Sequence, residues 1–171
     1  MTGIRRLNHA VLFVSDLDPA VAFYRDVLGF EVIERVEGRM NAAFLRAADS
    51  QNHHDLGLFG LGVGTPKAPR GTTGLYHLAW QVDTIDQLVA IRDGLIASRA
   101  FTGESSHGAT LSLYGADPDG NEFEVQWMLP RAAWGEYETK GVVEHLDLAA
   151  EVTRWSGVGT ADELGTAARV D

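Results

Sequence analysis

Leu7-Asn8-His9-Ala10-Val11-Leu12-Phe13-Val14 is echoed 68 positions later by Leu75-Tyr76-His77-Leu78-Ala79-Trp80-Gln81-Val82. The match continues without a gap: Leu17 falls on Ile85, Asp18 on Asp86, Val21 on Val89 and Ala22 on Ala90. One coincidence would be noise. Several on one diagonal, with a histidine on a histidine, mark two copies of one unit.

Each copy reads as strand, helix, then three strands. In the first, Ile4–Val14 is an apolar, strand-like run. Asp18-Pro19 predicts an N-cap followed by proline at the first helical position. Val21, Tyr24 and Leu28 form a helical stripe that Gly29 closes, and Phe30–Val36, Met40–Ala47 and His54–Phe59 are strand candidates. In the second copy, Thr84-Ile85-Asp86-Gln87 is a capping box. The apolar face of its helix is Ile85, Leu88, Val89, Leu95 and Ile96, with strands expected near Phe101, at Ala109–Tyr114 and at Glu122–Met128. Asp117-Pro118-Asp119-Gly120 predicts a turn in which Gly120 takes a positive φ.

The fold class expected is therefore α+β: paired βαβββ modules, closing as one sheet barrel around a shared cavity, with a short helical C-terminal tail. The expected domain covers residues 1–130, with modules at 4–66 and 73–130 and a linker rich in Gly, Pro, Thr and Lys between them. Residues 131–171 form the tail. It begins helix-like around Trp134 and Tyr137, is expected to pack on the body or on a partner chain, and turns small-residue-rich and mobile from about Gly157.

The chain has 171 residues, a net charge of −10, six histidines and no cysteine. Without cysteine there are no disulfides, thiolate metal sites or thiol nucleophiles, so any metal must sit on nitrogen and oxygen. The acidic balance excludes nucleic acid as a partner. No apolar stretch is long enough to span a membrane. Arg5-Arg6 precedes a run broken by Asn8 and His9, which reads as a strand and not as a signal peptide, so a cytoplasmic protein is expected.

His9 and His77 hold equivalent positions in the two copies, so inward-facing side chains there can converge. Glu124, in the strand after the Asp-Pro-Asp-Gly turn, is the third candidate. Two imidazoles and one carboxylate match the facial triad of non-haem Fe(II) sites, which leaves three coordination positions open. A lone strand histidine is more often an ordinary core or surface residue. The repeat is what raises these two above that background. At the 68-residue offset Glu124 falls on Leu56. Strand alternation then puts His54 on the face of Glu124, with His53 and Asp55 pointing away.

These residues resemble the vicinal oxygen chelate superfamily, which includes glyoxalase I, bleomycin-resistance proteins, fosfomycin-resistance transferases and type I extradiol dioxygenases. The similarity runs from about Ile4 to Met128. It is carried by His9 before Ala-Val-Leu, by His77 in Leu-Tyr-His-Leu-Ala-Trp, and by Tyr-x-x-Asp-Pro-Asp-Gly-Asn-x-x-Glu ending at Glu124. Asn52-His53-His54-Asp55-Leu56-Gly57-Leu58-Phe59 resembles the His-Asp strand of the extradiol dioxygenases. That resemblance implies His54 as the acid–base residue, Tyr114 as a hydrogen-bond partner of a substrate hydroxyl, and His107, in Ser106-His107-Gly108, as a further histidine near the substrate. His53 reads as a solvated turn residue, and a core role is the competing reading of Tyr114. Trp80 and Leu111 could line a ring pocket but read better as core, and Trp127 is expected to face a helix or a subunit contact.

The resemblance implies an extradiol ring-cleaving dioxygenase of the catechol 2,3-dioxygenase type, inserting both atoms of O2 into a catechol-type diol at Fe(II), with Mn(II) as the alternative ion. His9, His77 and Glu124 would be the metal ligands. A homodimer or larger homo-oligomer is expected. Two alternatives stand beside it: a metal-dependent glyoxalase or thiol-transferase-type enzyme on the same triad, and a non-enzymatic, bleomycin-resistance-like binding protein. Glyoxalase I uses a fourth ligand, a glutamate, on the strand that here carries apolar residues.

Overall fold

The structure is a computed structural model that describes residues 3–161 apart from Arg5, Ala68 and Arg70. The small-residue end of the tail beyond Ala161 therefore lies outside the described residues. Two compact units are present, Met1–Gly74 with Ala116–Asn121, and Leu75–Gly115 with Glu122–Asp171. Among the described residues no helix is long and apolar enough to cross a membrane.

The first unit runs β1 (Ala10–Val14), α1 (Leu17–Asp26), β2 (Glu31–Val36), β3 (Ala42–Arg46) and β4 (Leu56–Gly60). Its sheet has the order β1-β4-β3-β2, with β1 parallel to β4 and the other neighbours antiparallel. Leu12, Val14, Ala43, Leu45, Leu56 and Leu58 are buried, as are Leu17, Ala20, Val21 and Tyr24 of α1. This is the alternation a half-covered sheet requires, with apolar side chains on the helix side. The first strand is shorter than its apolar run: Ile4 and Leu7 are exposed, and pairing starts at Ala10 because the partner strand starts at Leu56.

The cap of α1 also differs from the expectation. Asp16, not Asp18, is the N-cap, with extended backbone and a side chain accepting from the Asp18 N–H. Pro19 then sits at the third helical position, within the first turn, where a missing N–H costs nothing because the first four amides have no helical partner. Asp18 instead pairs with Arg35. The turn residues Ala116–Asn121 belong to this unit. The Asp117 carboxylate accepts from the Asp119 and Asn121 amides, the Asn121 side chain and the Tyr24 hydroxyl, and Gly120 takes φ +85°.

The second unit repeats the plan: β5 (Leu78–Gln81), α2 (Ile85–Ala97), β6 (Phe101–Ser106), β7 (Thr110–Ala116) and β8 (Glu122–Met128), in the order β5-β8-β7-β6. The capping box is formed as expected, Thr84 accepting from the Gln87 amide while the Gln87 side chain accepts from the Thr84 amide. Ile85, Leu88 and Leu95 of α2 are buried, whereas Ile96 is exposed. Leu111, Leu113, Phe123, Val125 and Trp127 are buried, so Leu111 is core and not part of a ring pocket. The tail contributes 3-10 turns at Arg131–Ala133 and Gly135–Glu138 and a third helix, α3 (Leu148–Trp155), whose Trp155 packs on Trp127 with ring centres 5.8 Å apart.

The eight strands thus form two four-stranded sheets, each hydrogen-bonded within its own module, and not one closed barrel sheet. The reason is local. Each module pairs its first strand in parallel with its own last strand, β1 with β4 and β5 with β8, so each ladder is completed inside the module.

Candidate active site

In the second unit, His77 immediately precedes β5 and Glu124 lies at the centre of β8. Glu124 stands opposite Ala79 in the ladder, a neighbour too small to cover it. The His77 Nε2 and a Glu124 carboxylate oxygen are 3.2 Å apart. Glu124 is only 8% exposed. A buried carboxylate needs a cation or strong donors to offset lost hydration. Two ligands at right angles around an ion ~2.1 Å from each stand about 3.0 Å apart. The pair therefore fits two cis positions of a divalent metal with nitrogen and oxygen donors.

Tyr114 of β7 lies beside this pair, its ring centre 6.1 Å from that of His77. Its hydroxyl is 2.6 Å from the His107 Nε2 and 3.2 Å from the Ser105 hydroxyl. Burial is the main cause raising the Tyr114 pKa, and the nearby Glu124 charge adds to it while the Ser105 hydrogen bond opposes it. The Tyr114 hydroxyl thus sits in a polar network at a cavity. A cavity of about 230 Å³ opens here, lined in part by Tyr76, His77, Thr102, Gly103 and Tyr114. Tyr76 and Ser105 were not singled out from the sequence. Tyr76 carried a signal, since it adjoins His77 in the repeated stretch, but Ser105 had none.

In the first unit, His9 immediately precedes β1, as His77 precedes β5. The His9 Nδ1 is 2.9 Å from the Asn8 side-chain oxygen. A proton on Nδ1 satisfies that oxygen and leaves the Nε2 lone pair free, the tautomer that a metal-binding histidine of this kind would need. The His54 ring lies 4.5 Å from that of His9 and 5.1 Å from that of Phe44. Partial burial lowers the His54 pKa below the ordinary histidine value, His9 and His53 lower it further, and Asp55 opposes them. His53 is exposed. The Asp55 carboxylate is turned to the preceding loop, accepting from the Ala47 amide, the Ser50 hydroxyl and the Asn52 side chain.

His54 therefore sits beside His9, but not for the reason strand alternation offered. Ala10 pairs with Leu56, and its repeat counterpart Leu78 pairs with Phe123. Leu56 thus corresponds to Phe123, and the counterpart of Glu124 is Gly57, not Leu56. The repeat slips by one residue before β4. His54 itself precedes that strand in irregular backbone between bends, where alternation does not apply. A side chain at Gly57 would touch Val11, Phe44 and Phe59. The first unit thus has no carboxylate where the second has Glu124. Among the described residues no three His, Asp or Glu side chains gather around one point; His77 and Glu124 are paired in the second unit, and His9 belongs to the first.

Comparison with known proteins adds to this geometry. The family model of the Glyoxalase/Bleomycin resistance protein/Dioxygenase superfamily matches residues 6–125. The chain is similar to biphenyl-2,3-diol 1,2-dioxygenase 3 of Rhodococcus globerulus, at 37% identity over 74% of this chain and 65% of that protein. It is also similar to the catechol-2,3-dioxygenase of Bacillus subtilis strain 168, at 31% identity over 78% of this chain and 46% of that protein. The chain therefore spans from under half to just under two thirds of the length of these relatives. Among solved structures, the glyoxylase/bleomycin resistance protein/dioxygenase domain from Frankia sp. EAN1pec shares the fold. It has a TM-score of 0.65 and 22% identity, covering 74% of this chain and 94% of that one.

Proposed function

Because the chain belongs to the Glyoxalase/Bleomycin resistance protein/Dioxygenase superfamily, we propose that it is an extradiol ring-cleaving dioxygenase acting on a catechol-type diol. The observation that carries this reading is the Tyr114 hydroxyl, held by His107 and Ser105 beside the His77–Glu124 pair. A metal-binding pair alone would serve many reactions. A fixed phenol beside it suits a substrate that presents its own hydroxyl.

In this reading His9, His77 and Glu124 hold the metal, Fe(II) or else Mn(II). Bound there, the metal supplies the redox chemistry that joins dioxygen to the ring. The protein's side chains do the rest. Glu124 contributes the single negative charge of the ligand set, so a singly ionised diol is the form whose charge the site balances. Tyr114 orients one substrate hydroxyl. His54 takes up a proton during binding and returns it during ring opening; its lowered pKa favours the neutral imidazole that a base requires. The product is a ring-opened, muconic semialdehyde-type compound. A cytoplasmic homo-oligomer completes the proposal.

The test is to load the protein with Fe(II) without oxygen, add a series of catechols, and admit air. A yellow ring-fission product with at least one of them is expected. Bound iron with no coloured product across the series would refute the dioxygenase reading and favour the transferase or isomerase alternative. A protein that neither retains nor rebinds a divalent metal would favour a binding protein.

A further inference from the structure

The role of the tail after Pro130 is legible at one place. Beyond the 3-10 turns it returns to the end of β6, an edge strand of the second sheet. There it meets three consecutive residues. Ser106 and Glu144 exchange two backbone hydrogen bonds, of 3.0 and 2.9 Å. The His107 Nδ1 is 2.7 Å from the Val142 carbonyl oxygen. Gly108, at φ +79°, lies so close under the Tyr137 ring that an added Cβ would fall within it.

The Val142 contact fixes a tautomer. A carbonyl oxygen only accepts, so Nδ1 must carry the proton. In the neutral ring, Nε2 is then an acceptor, and the Tyr114 hydroxyl 2.6 Å away donates to it. The Ser105 hydroxyl, 7% exposed, is 3.0 Å from the same Nε2 and 3.2 Å from the Tyr114 oxygen; because the shorter Tyr114 contact takes the Nε2 lone pair, Ser105 donates to the Tyr114 oxygen. With its own proton committed to His107, Tyr114 presents only acceptor capacity to the site.

We propose that residues 137–144 are a positioning strap, which sets the tautomer of His107 and thereby makes Tyr114 a hydrogen-bond acceptor toward a hydroxyl of the bound molecule. The last step rests on the function proposed above; the tautomer and its dependence on the strap do not. Four contacts made by a separate stretch of chain act on three consecutive residues, three of them through the strap's backbone and one through the Tyr137 ring. Glu144 and Val143 are themselves exposed, so the backbone, not their side chains, is what the strap contributes.

The test is the protonation pattern of the histidine rings by nitrogen-15 NMR on the intact 171-residue chain before metal loading, which requires no activity. The wild type should show His107 with the proton on Nδ1. Tyr114→Phe should keep that tautomer, because the strap and not the phenol sets it. Glu144→Pro, which deletes one amide of the bridge, should give a tautomer mixture and ring N–H exchange roughly 2- to 10-fold faster, the scale of one lost hydrogen bond. Tyr137→Ala should act in the same direction and serves if the proline variant does not fold. A wild-type proton on Nε2, or a tautomer lost in Tyr114→Phe, would overturn the proposal. So would Nδ1–H exchange unchanged in the folded strap variants.

Discussion

Gly115 in β7 offers a quantitative test of how tightly the strand beside the site is packed. Its backbone is in a region any residue can adopt, so glycine is not needed there for conformational reasons. It is needed for space. A Cβ built at Gly115 would lie 2.5 and 2.9 Å from the Phe123 ring and 3.1 Å from the Ala100 carbonyl oxygen. Carbon atoms rest about 3.5–4.0 Å apart, so the Phe123 ring would have to retreat by about 1 Å. Phe123 is 2% exposed and neighbours Glu124 in β8. Gly115→Ala should therefore cost about 1–3 kcal/mol, the usual range for one extra methyl in a filled core.

For a chain of this length that is a melting temperature lower by roughly 3–10 °C. The assay is thermal and urea unfolding of wild type, Gly115→Ala, Phe123→Leu and the double variant. Phe123→Leu alone should cost about 1–2 kcal/mol, less than full truncation of the ring. In the double variant the smaller side chain makes room for the methyl, so the combined loss should be at least about 1 kcal/mol less than the sum. Costs that add to within about 0.5 kcal/mol would mean that the two residues do not compete for the same space. That result would refute the packing account of β7 against β8.

Four further outcomes follow from the structure. His54→Ala should retain metal while turnover falls by roughly 10²–10⁴, the scale of a lost acid–base group; unchanged turnover would remove His54 from the proposed chemistry. Glu124→Gln, which keeps the shape and removes the charge, should abolish metal retention, by elemental analysis, without lowering the stability of the metal-free protein, because a buried charge is relieved. Burial first, then the Asp117 and Asp119 charges, raise the Tyr24 pKa far above the ordinary value. Its contribution is thus complete below about pH 10 and is lost above it by up to about 1.4 kcal/mol per pH unit, so alkaline urea titrations should fall more steeply in wild type than in Tyr24→Phe. Thr84→Ala breaks the capping box and should cost about 1 kcal/mol in the same unfolding assay.

The repeat made the two-module architecture legible, because βαβββ units built from similar residues must bury similar faces. The β8 span, Glu122–Met128, and the Thr84–Gln87 cap were readable from local chemistry alone. The phase of β4 was not. The loop before it, with the bend that holds Asp55, shifts the repeat by one residue, and one residue is enough to exchange the two faces of a strand. The cap of α1 lies two residues before the expected one: Asp16 takes it, and Asp18, read as the cap, engages Arg35 instead. The strap on His107 was illegible for a different reason: its key group is a backbone carbonyl 35 residues away, and a carbonyl leaves no trace in the sequence. Helix α3 is short and its partner Trp127 lies far back in the chain, so its existence depends on a tertiary contact more than on propensity.

In the function proposed above, two histidines from equivalent positions of the repeat share one metal with Glu124. The most direct measurement is the structure of the Fe(II)-loaded protein with a bound diol, prepared without oxygen. The account predicts an ion held by His9, His77 and Glu124, chelated by both diol oxygens, with Tyr114 within hydrogen-bonding distance of one of them. An ion bound without His9, or a diol that does not reach the metal, would contradict it.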